Sequence, residues 1–262
     1  MPPQALVRET AGALPILGLV AAAYLLPPDT SLSEVRAAGA LRACVPSVDP
    51  PFVTGKAGAP GIDLEILRAL ARGLGLTLVP AEEPAISRDF NPRSWHLTRA
   101  ACELIAGGLA ATPMTRSFLE TSTPYAETGW AVLAPRRLPD LRRLRIGVLA
   151  PASGLDRIAL TSYLRSEAAQ VAILPDPDAL VGGLHAGRFE AAITEKLLAD
   201  RIAAQERWVA DWLDELPRYQ VAFGLWKGDL TLKRAVNAGL EQLRGDGTLE
   251  TTLERYRSGG TE

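Results

Sequence analysis

The sequence has few of the side chains that build metal centres, thiol chemistry or disulfide scaffolds. Its 262 residues include two cysteines, Cys44 and Cys102, and two histidines, His96 and His185. Two cysteines cannot frame a disulfide scaffold, and neither a C-x-x-C pair nor a zinc spacing occurs. The histidines are too isolated for a metal cluster, and each reads as a solvated or packed residue. No metal and no cofactor is implied. An excess of positive charge is also missing: 28 Lys and Arg stand against 30 Asp and Glu, a formal net charge of −2, so nothing points to a nucleic-acid partner. The chain lacks internal repeats, low-complexity tracts and any Ser/His/Asp or Cys/His set suited to nucleophilic catalysis. What remains is an ordinary globular composition, 47% hydrophobic and 22% charged, long enough for two modest domains.

The first strong feature is the uncharged apolar run from Ala11 to Leu26. It exceeds a typical signal-peptide core of about 7–15 residues and falls short of the roughly 20 of a spanning helix. Ala21-Ala22-Ala23 offers a small-residue cleavage site, and Pro27-Pro28 stops any helix. Residues 1–26 are therefore a removed signal peptide or an uncleaved anchor, and either places the rest outside the cytoplasm. No cysteine follows the run, which argues against a lipoprotein.

The chain beyond it is organised around Cys102–Tyr125. Leu104-Ile105-Ala106 has the length of a buried strand, and Gly107-Gly108 lets the backbone approach a neighbour closely. Thr112-Pro113 reads as a helix cap and first helical residue, with Arg116 in the first turn. Strand, glycines and helix start together leave backbone N–H groups facing an anion. Other segments alternate strand and helix. Ser31–Ala40 is a short helix stopped at Gly39, Leu41–Val45 a strand, and Gly61–Leu74 an amphipathic helix with Ile62, Ile66, Leu67 and Leu70 on one face. Asp63 and Glu65 lie in its first turn, where they suit the helix dipole and have a structural role. Residues 80–100 are polar and hard to read. Strands follow at Ile146–Leu149, Val171–Leu174 and Phe189–Glu195, with helices over 155–164, 178–186 and 232–244. If strands 41–45 and 103–106 are neighbours, Cys44 and Cys102 come close. A bridge between adjacent parallel strands is geometrically awkward, which argues against pairing and leaves it open. The basic run Arg136-Arg137 to Arg145 reads as a solvated edge.

The pattern of apolar strand, Gly-Gly-Leu, Thr-Pro, Arg and Ser-x-Pro-Tyr resembles the first-lobe signature of periplasmic solute-binding proteins of the polar-amino-acid type. So do Pro50-Pro51-Phe52, Gly61-x-Asp63, and Lys227-Gly228-Asp229 with Asp246-Gly247-Thr248 near the end. The resemblance covers about residues 31–258 and implies that Trp95 packs on the first lobe. It implies an α/β, two-lobed type II fold, each lobe a mostly parallel sheet flanked by helices, preceded by an apolar N-terminal helix. Lobe 1 is expected over 31–133 plus 223–258 and lobe 2 over 136–220.

The resemblance also implies a ligand site. Phe52 is expected as an aromatic wall. Gly108, Ala110 and Thr112 are expected to present backbone groups to a ligand carboxylate, and Ser153 to add a hydroxyl from the second lobe. The ligand ammonium falls to Glu195, where relatives carry Asp. The relatives' carboxylate-binding Arg aligns with Thr115, and Arg116 stands one residue late, about 100° around a helix, which puts an ordinary amino-acid ligand in question. The implied function is non-catalytic binding of a small polar solute by hinge closure, serving an inner-membrane ABC permease. Alternatives are a membrane-tethered accessory or sensor domain within a membrane complex and, ranked lowest, a dehydratase-like enzyme using Glu195.

Overall fold

The structure is a computed structural model that describes residues 28–88, 92–151 and 154–258. The architecture described is that of the compact unit Ser31–Glu262. The apolar run Ala11–Leu26 lies outside the described residues, among which no helix is long and apolar enough to cross a membrane.

Two five-stranded sheets form the frame. The first has the order β2 (Thr77–Glu82), β1 (Ala40–Val45), β3 (Leu104–Ile105), β12 (Gly224–Leu225), β4 (Glu120–Thr121). The second has the order β10 (Val209–Trp212), β6 (Trp130–Ala134), β9 (Ala191–Glu195), β7 (Arg145–Val148), β8 (Gln170–Ile173). Between them β5 (Ala126–Thr128) pairs antiparallel with β11 (Tyr219–Val221), with Tyr219 opposite Thr128 and Val221 opposite Ala126. This two-stranded ribbon carries both crossings of the chain from one sheet to the other.

The expectation of mostly parallel sheets needs correction. β1 runs parallel to β2 and β3, and β7 parallel to β8 and β9, but β12 runs antiparallel to β3 and β4, and β6 antiparallel to β9 and β10. The cause is the double crossing. Each crossing delivers a strand into its new sheet from the ribbon side, opposite to the strands made by successive strand–helix units. Trp130–Ala134, which straddles the expected end of lobe 1 at residue 133, is an interior strand of the second sheet.

Helices cover the sheets as the apolar periodicity requires. Ile62, Ile66, Leu67 and Leu70 of α2 (Ile62–Gly73) are buried with Leu41, Phe223, Val236 and Tyr256 in the first core. α1 (Ser31–Ala38) ends at Gly39, whose φ of 67° is the left-handed conformation that glycine tolerates. α8 (Leu230–Gly245) and α9 (Thr248–Arg257) close this side. In the second sheet, successive residues alternate between faces. Ala191 and Ile193 join Ile146, Leu160 and Leu164 on one side, while Ala192 joins Leu180, Leu184 and Phe189 on the other. These faces are covered by α5 (Arg157–Ser166) and by α6 (Pro177–His185) with α7 (Lys196–Glu206).

The segment that was hard to read folds as α3 (Pro84–Arg88) and a 3-10 turn at Pro92–Trp95. Trp95 is buried beside Ile86, Ile105 and Leu119, as expected. Cys44 and Cys102 share this cluster and are joined by a disulfide with Cα atoms 5.6 Å apart. The objection to a bridge between parallel strands does not apply. Cys44 lies opposite Ile105 in the register, so Cys102 sits before β3 begins and reaches across from a loop. The basic run is a solvated edge: Arg137, Arg142 and Arg145 pair with Asp211, Glu167 and Glu190.

Candidate functional site

The loops that follow β3 and β7 approach each other. After β3 the chain runs through Gly107-Gly108 to α4 (Pro113–Phe118), which Thr112 caps. The Thr112 side chain accepts from Thr115 N–H at 3.1 Å, and Pro113 occupies the first turn, as the sequence predicts. After β7 the loop leads to α5, where the Asp156 carboxylate accepts from Ala159 N–H at 2.8 Å. Between these two loops lies a cavity of about 210 Å³. Thr112, Pro113 and Met114 form one wall, Leu155, Asp156, Arg157 and Ile158 the other, with Tyr219 of the crossing ribbon completing it. The carboxyl ends of parallel strands are where such folds hold ligands.

Of the expected ligand residues that the structure describes, Thr112 lines this cavity and Phe52, Gly108, Ala110, Thr115, Arg116 and Glu195 do not. Thr115, in the position of the relatives' Arg, is buried, and its hydroxyl donates to Ala110 O at 2.8 Å. Ala110 is buried in an isolated bridge to Val221, and its carbonyl also accepts from Thr112 N–H. Arg116, expected to reach a ligand carboxylate despite standing one residue late, is exposed and outside the cavity lining. Ser153 lies outside the described residues.

Phe52 is not an open aromatic wall. It is 1% exposed, in the first core. Its ring lies against the backbone of Gly108, where a Cβ atom would meet Phe52 Cδ2 at 2.3 Å, so the glycine serves this packing. The Gly108 N–H is not available to a ligand either. It donates to Asp63 Oδ2 at 2.9 Å, and Gly107 N–H donates to the same oxygen at 2.6 Å. Tyr125 OH donates to Asp63 Oδ1 at 2.5 Å. Asp63 therefore does more than suit a helix dipole. From the first turn of α2 it fixes the Gly107-Gly108 loop and the residue that opens the crossing ribbon. Burial raises its carboxyl to about 6, although Tyr125, Gly107 and Gly108 favour the anion. Tyr125, buried beside that carboxyl and stacked 4.7 Å from Phe223, is held well above the ordinary phenol range.

Glu195 is likewise removed from the cavity. At 1% exposure it ends β9 and caps α7, accepting from Leu198 N–H at 2.8 Å. Its other oxygen accepts from Thr128 Oγ1 at 2.5 Å. Burial raises this carboxyl to about 7 against those hydrogen bonds. Two buried carboxylates thus bracket β5: Asp63 holds Tyr125 just before it, and Glu195 holds Thr128 at its end. Apart from the Leu198 N–H three residues on, their partners lie 44 to 67 residues away, which leaves the sequence only weak signals for either role.

The frame and its crossings have direct counterparts. The profile of the bacterial extracellular solute-binding proteins, family 3, matches residues 41–259. The chain belongs to that family. Its fold is that of an ancestral cationic amino acid solute-binding protein, with a TM-score of 0.70 at 20% identity over 86% of this chain and 99% of the other. In sequence the family member is similar to a membrane-bound lytic murein transglycosylase F of Alcanivorax borkumensis, 23% identical over 253 residues, covering 93% of this chain and 52% of that protein. It is also similar to the L-cystine-binding protein TcyJ of Escherichia coli, 23% identical over 242 residues, covering 86% and 85%. The chain spans about half the length of the transglycosylases it matches. Among the described residues no group of three His, Cys, Asp or Glu side chains is placed to hold a metal.

Proposed function

We propose that this protein is a non-catalytic, extracytoplasmic solute-binding module that takes a small molecule between its lobes and closes on it for delivery to an inner-membrane ABC permease. The observation that carries this reading is the cavity walled by Thr112–Met114 from one sheet's loops and Leu155–Ile158 from the other's. Family membership and the β5–β11 ribbon support it, because two antiparallel strands joining two rigid sheets form a hinge. In this reading the lobes keep the expected outline, with residues 31–133 and 223–258 against 136–220, except that Trp130–Ala134 moves with the second. Residues 1–26 direct export or tether the module.

A second reading, an accessory or sensor domain of a membrane complex, draws support from Thr115, Arg116 and Glu195. None of the three presents the charge pair that would clamp an α-amino acid. The half-length match to membrane-bound transglycosylases points the same way. A dehydratase-like enzyme is disfavoured, because Glu195 is held by Thr128 and the α7 N-terminus, away from the cavity.

The test is thermal unfolding with a panel of amino acids, dicarboxylates, polyamines and muropeptides, paired with small-angle scattering. A ligand at 100 times its dissociation constant stabilises by about 2.7 kcal/mol. At roughly 2–4 °C per kcal/mol this raises Tm by about 5–10 °C. The radius of gyration should fall with the same compound. Arg116→Ala and Glu195→Gln should keep the rise, since neither residue lines the cavity. A ligand that binds without compaction rules out closure. A rise abolished by Arg116→Ala places the ligand elsewhere.

A further inference from the structure

Met114 and Ile158 are large apolar side chains that the fold leaves in water, 49% and 75% exposed. They are not scattered. One stands on each wall of the interlobe cavity, Met114 in the first turn of α4 and Ile158 in the first turn of α5. Pro113, Leu155 and Tyr219 add apolar surface between them. Solvent-facing apolar groups of this size carry a standing hydration cost that a matching ligand removes.

Each charged group of the lining makes a hydrogen bond within the protein. The Asp156 carboxylate accepts the Ala159 N–H, and Arg157 donates from Nη2 to Pro151 O at 2.8 Å. The other charges near the loops lie outside the lining. Asp63 and Glu195 are buried on hydroxyl and amide donors, and Arg116 is exposed elsewhere. The cavity, about 210 Å³, is below the roughly 300–1,000 Å³ of pockets for drug-sized ligands. It suits a molecule no larger than one amino acid.

We propose that the cleft selects a small solute carrying an uncharged aliphatic or aromatic group, between leucine and phenylalanine in size, gripped between Met114 and Ile158. This rests on the solute-binding reading and gives its ligand class. Thr112, whose hydroxyl already accepts from Thr115, positions the mouth of the cleft rather than balancing a ligand charge.

Isothermal titration calorimetry can test this with L-leucine, L-phenylalanine and their N-acetyl amides as apolar probes, and L-arginine, L-glutamate and putrescine as charged ones. At least one apolar probe should bind ten-fold or more tighter than every charged probe. Met114→Asp and Ile158→Asp, each at an exposed position in a helical first turn, should weaken that probe at least ten-fold without lowering Tm. Ile158→Leu should retain binding. Tighter binding of a charged probe, or apolar binding indifferent to both Asp variants, overturns the ligand class and leaves solute binding standing. Binding by none of the probes, together with no compaction across the wider panel, overturns both.

Discussion

Reducing the Cys44–Cys102 disulfide is expected to remove about 4 kcal/mol of stability, from a closed loop of 58 residues and the chain-entropy relation for crosslinks. The bridge encloses α2 and β2 as well as α3 and the 3-10 turn at Pro92–Trp95, where Trp95 is buried. Without the crosslink the unfolded chain regains the freedom of the enclosed loop. Urea unfolding of oxidised protein against protein reduced in denaturant and refolded under dithiothreitol measures the difference. Cys44→Ala/Cys102→Ala, unaffected by reductant, should match the reduced protein. A difference under 1 kcal/mol would mean that the native cluster alone holds the segment.

The disulfide also shows which parts of the molecule could be read in advance. Local signals were legible. The apolar spacing of Ile62, Ile66, Leu67 and Leu70 locates α2, and Thr112-Pro113 gives the cap of α4. Gly39 and Gly187 stop their helices at φ of 67° and 63°. Each depends on residues within one or two turns. What was not legible depends on which strand sits beside which. Trp130–Ala134 is apolar enough for either sheet, and only its register with β9 and β10 assigns it. Cys102 appeared to belong to a strand because Leu104 does, yet two residues of offset put it on a loop that can reach Cys44.

The expected ligand positions follow a related logic. Here Glu195 finds Thr128 and the first N–H groups of α7 within reach, and Thr115 returns its hydroxyl to Ala110. Hydrogen-bonding groups already satisfied inside the protein have no reason to turn towards the cleft.

Stability is expected to fall as pH rises from 5 to 8, by roughly 4 kcal/mol, which follows from two buried carboxyls at 1.36 kcal/mol per pH step. Asp63 moves from 3.8 to about 6 on folding, and Glu195 from 4.5 to about 7. Both folded-state values are raised, so the folded protein binds these protons more tightly than the unfolded chain does. The stabilisation is fully present below the unfolded values and is lost as pH climbs through the folded ones. Carboxylates with the opposite behaviour do not mask it. Glu120, Glu190 and Asp246 are lowered by their hydrogen-bond partners, so their contribution changes below pH 4.5 and is constant across this range. At about 2–4 °C per kcal/mol, Tm should drop by roughly 8–16 °C between pH 5 and pH 8. Asp63→Asn keeps an oxygen for Gly107 and Gly108 and should flatten the Asp63 share of the slope, with Glu195→Gln flattening the rest. Asp63→Ala behaves differently. It strands two backbone N–H groups and the Tyr125 hydroxyl in the core, at about 1–3 kcal/mol for each buried group left unpaired. It should lower Tm at every pH and loosen the loop that precedes α4. Calorimetric scans of the wild type, both single variants and the Asp63→Asn/Glu195→Gln double variant at pH 5, 6.5 and 8 separate these effects. A wild-type Tm that stays level or rises over that range, or a double variant that keeps the slope, would show that these two carboxyls do not govern it.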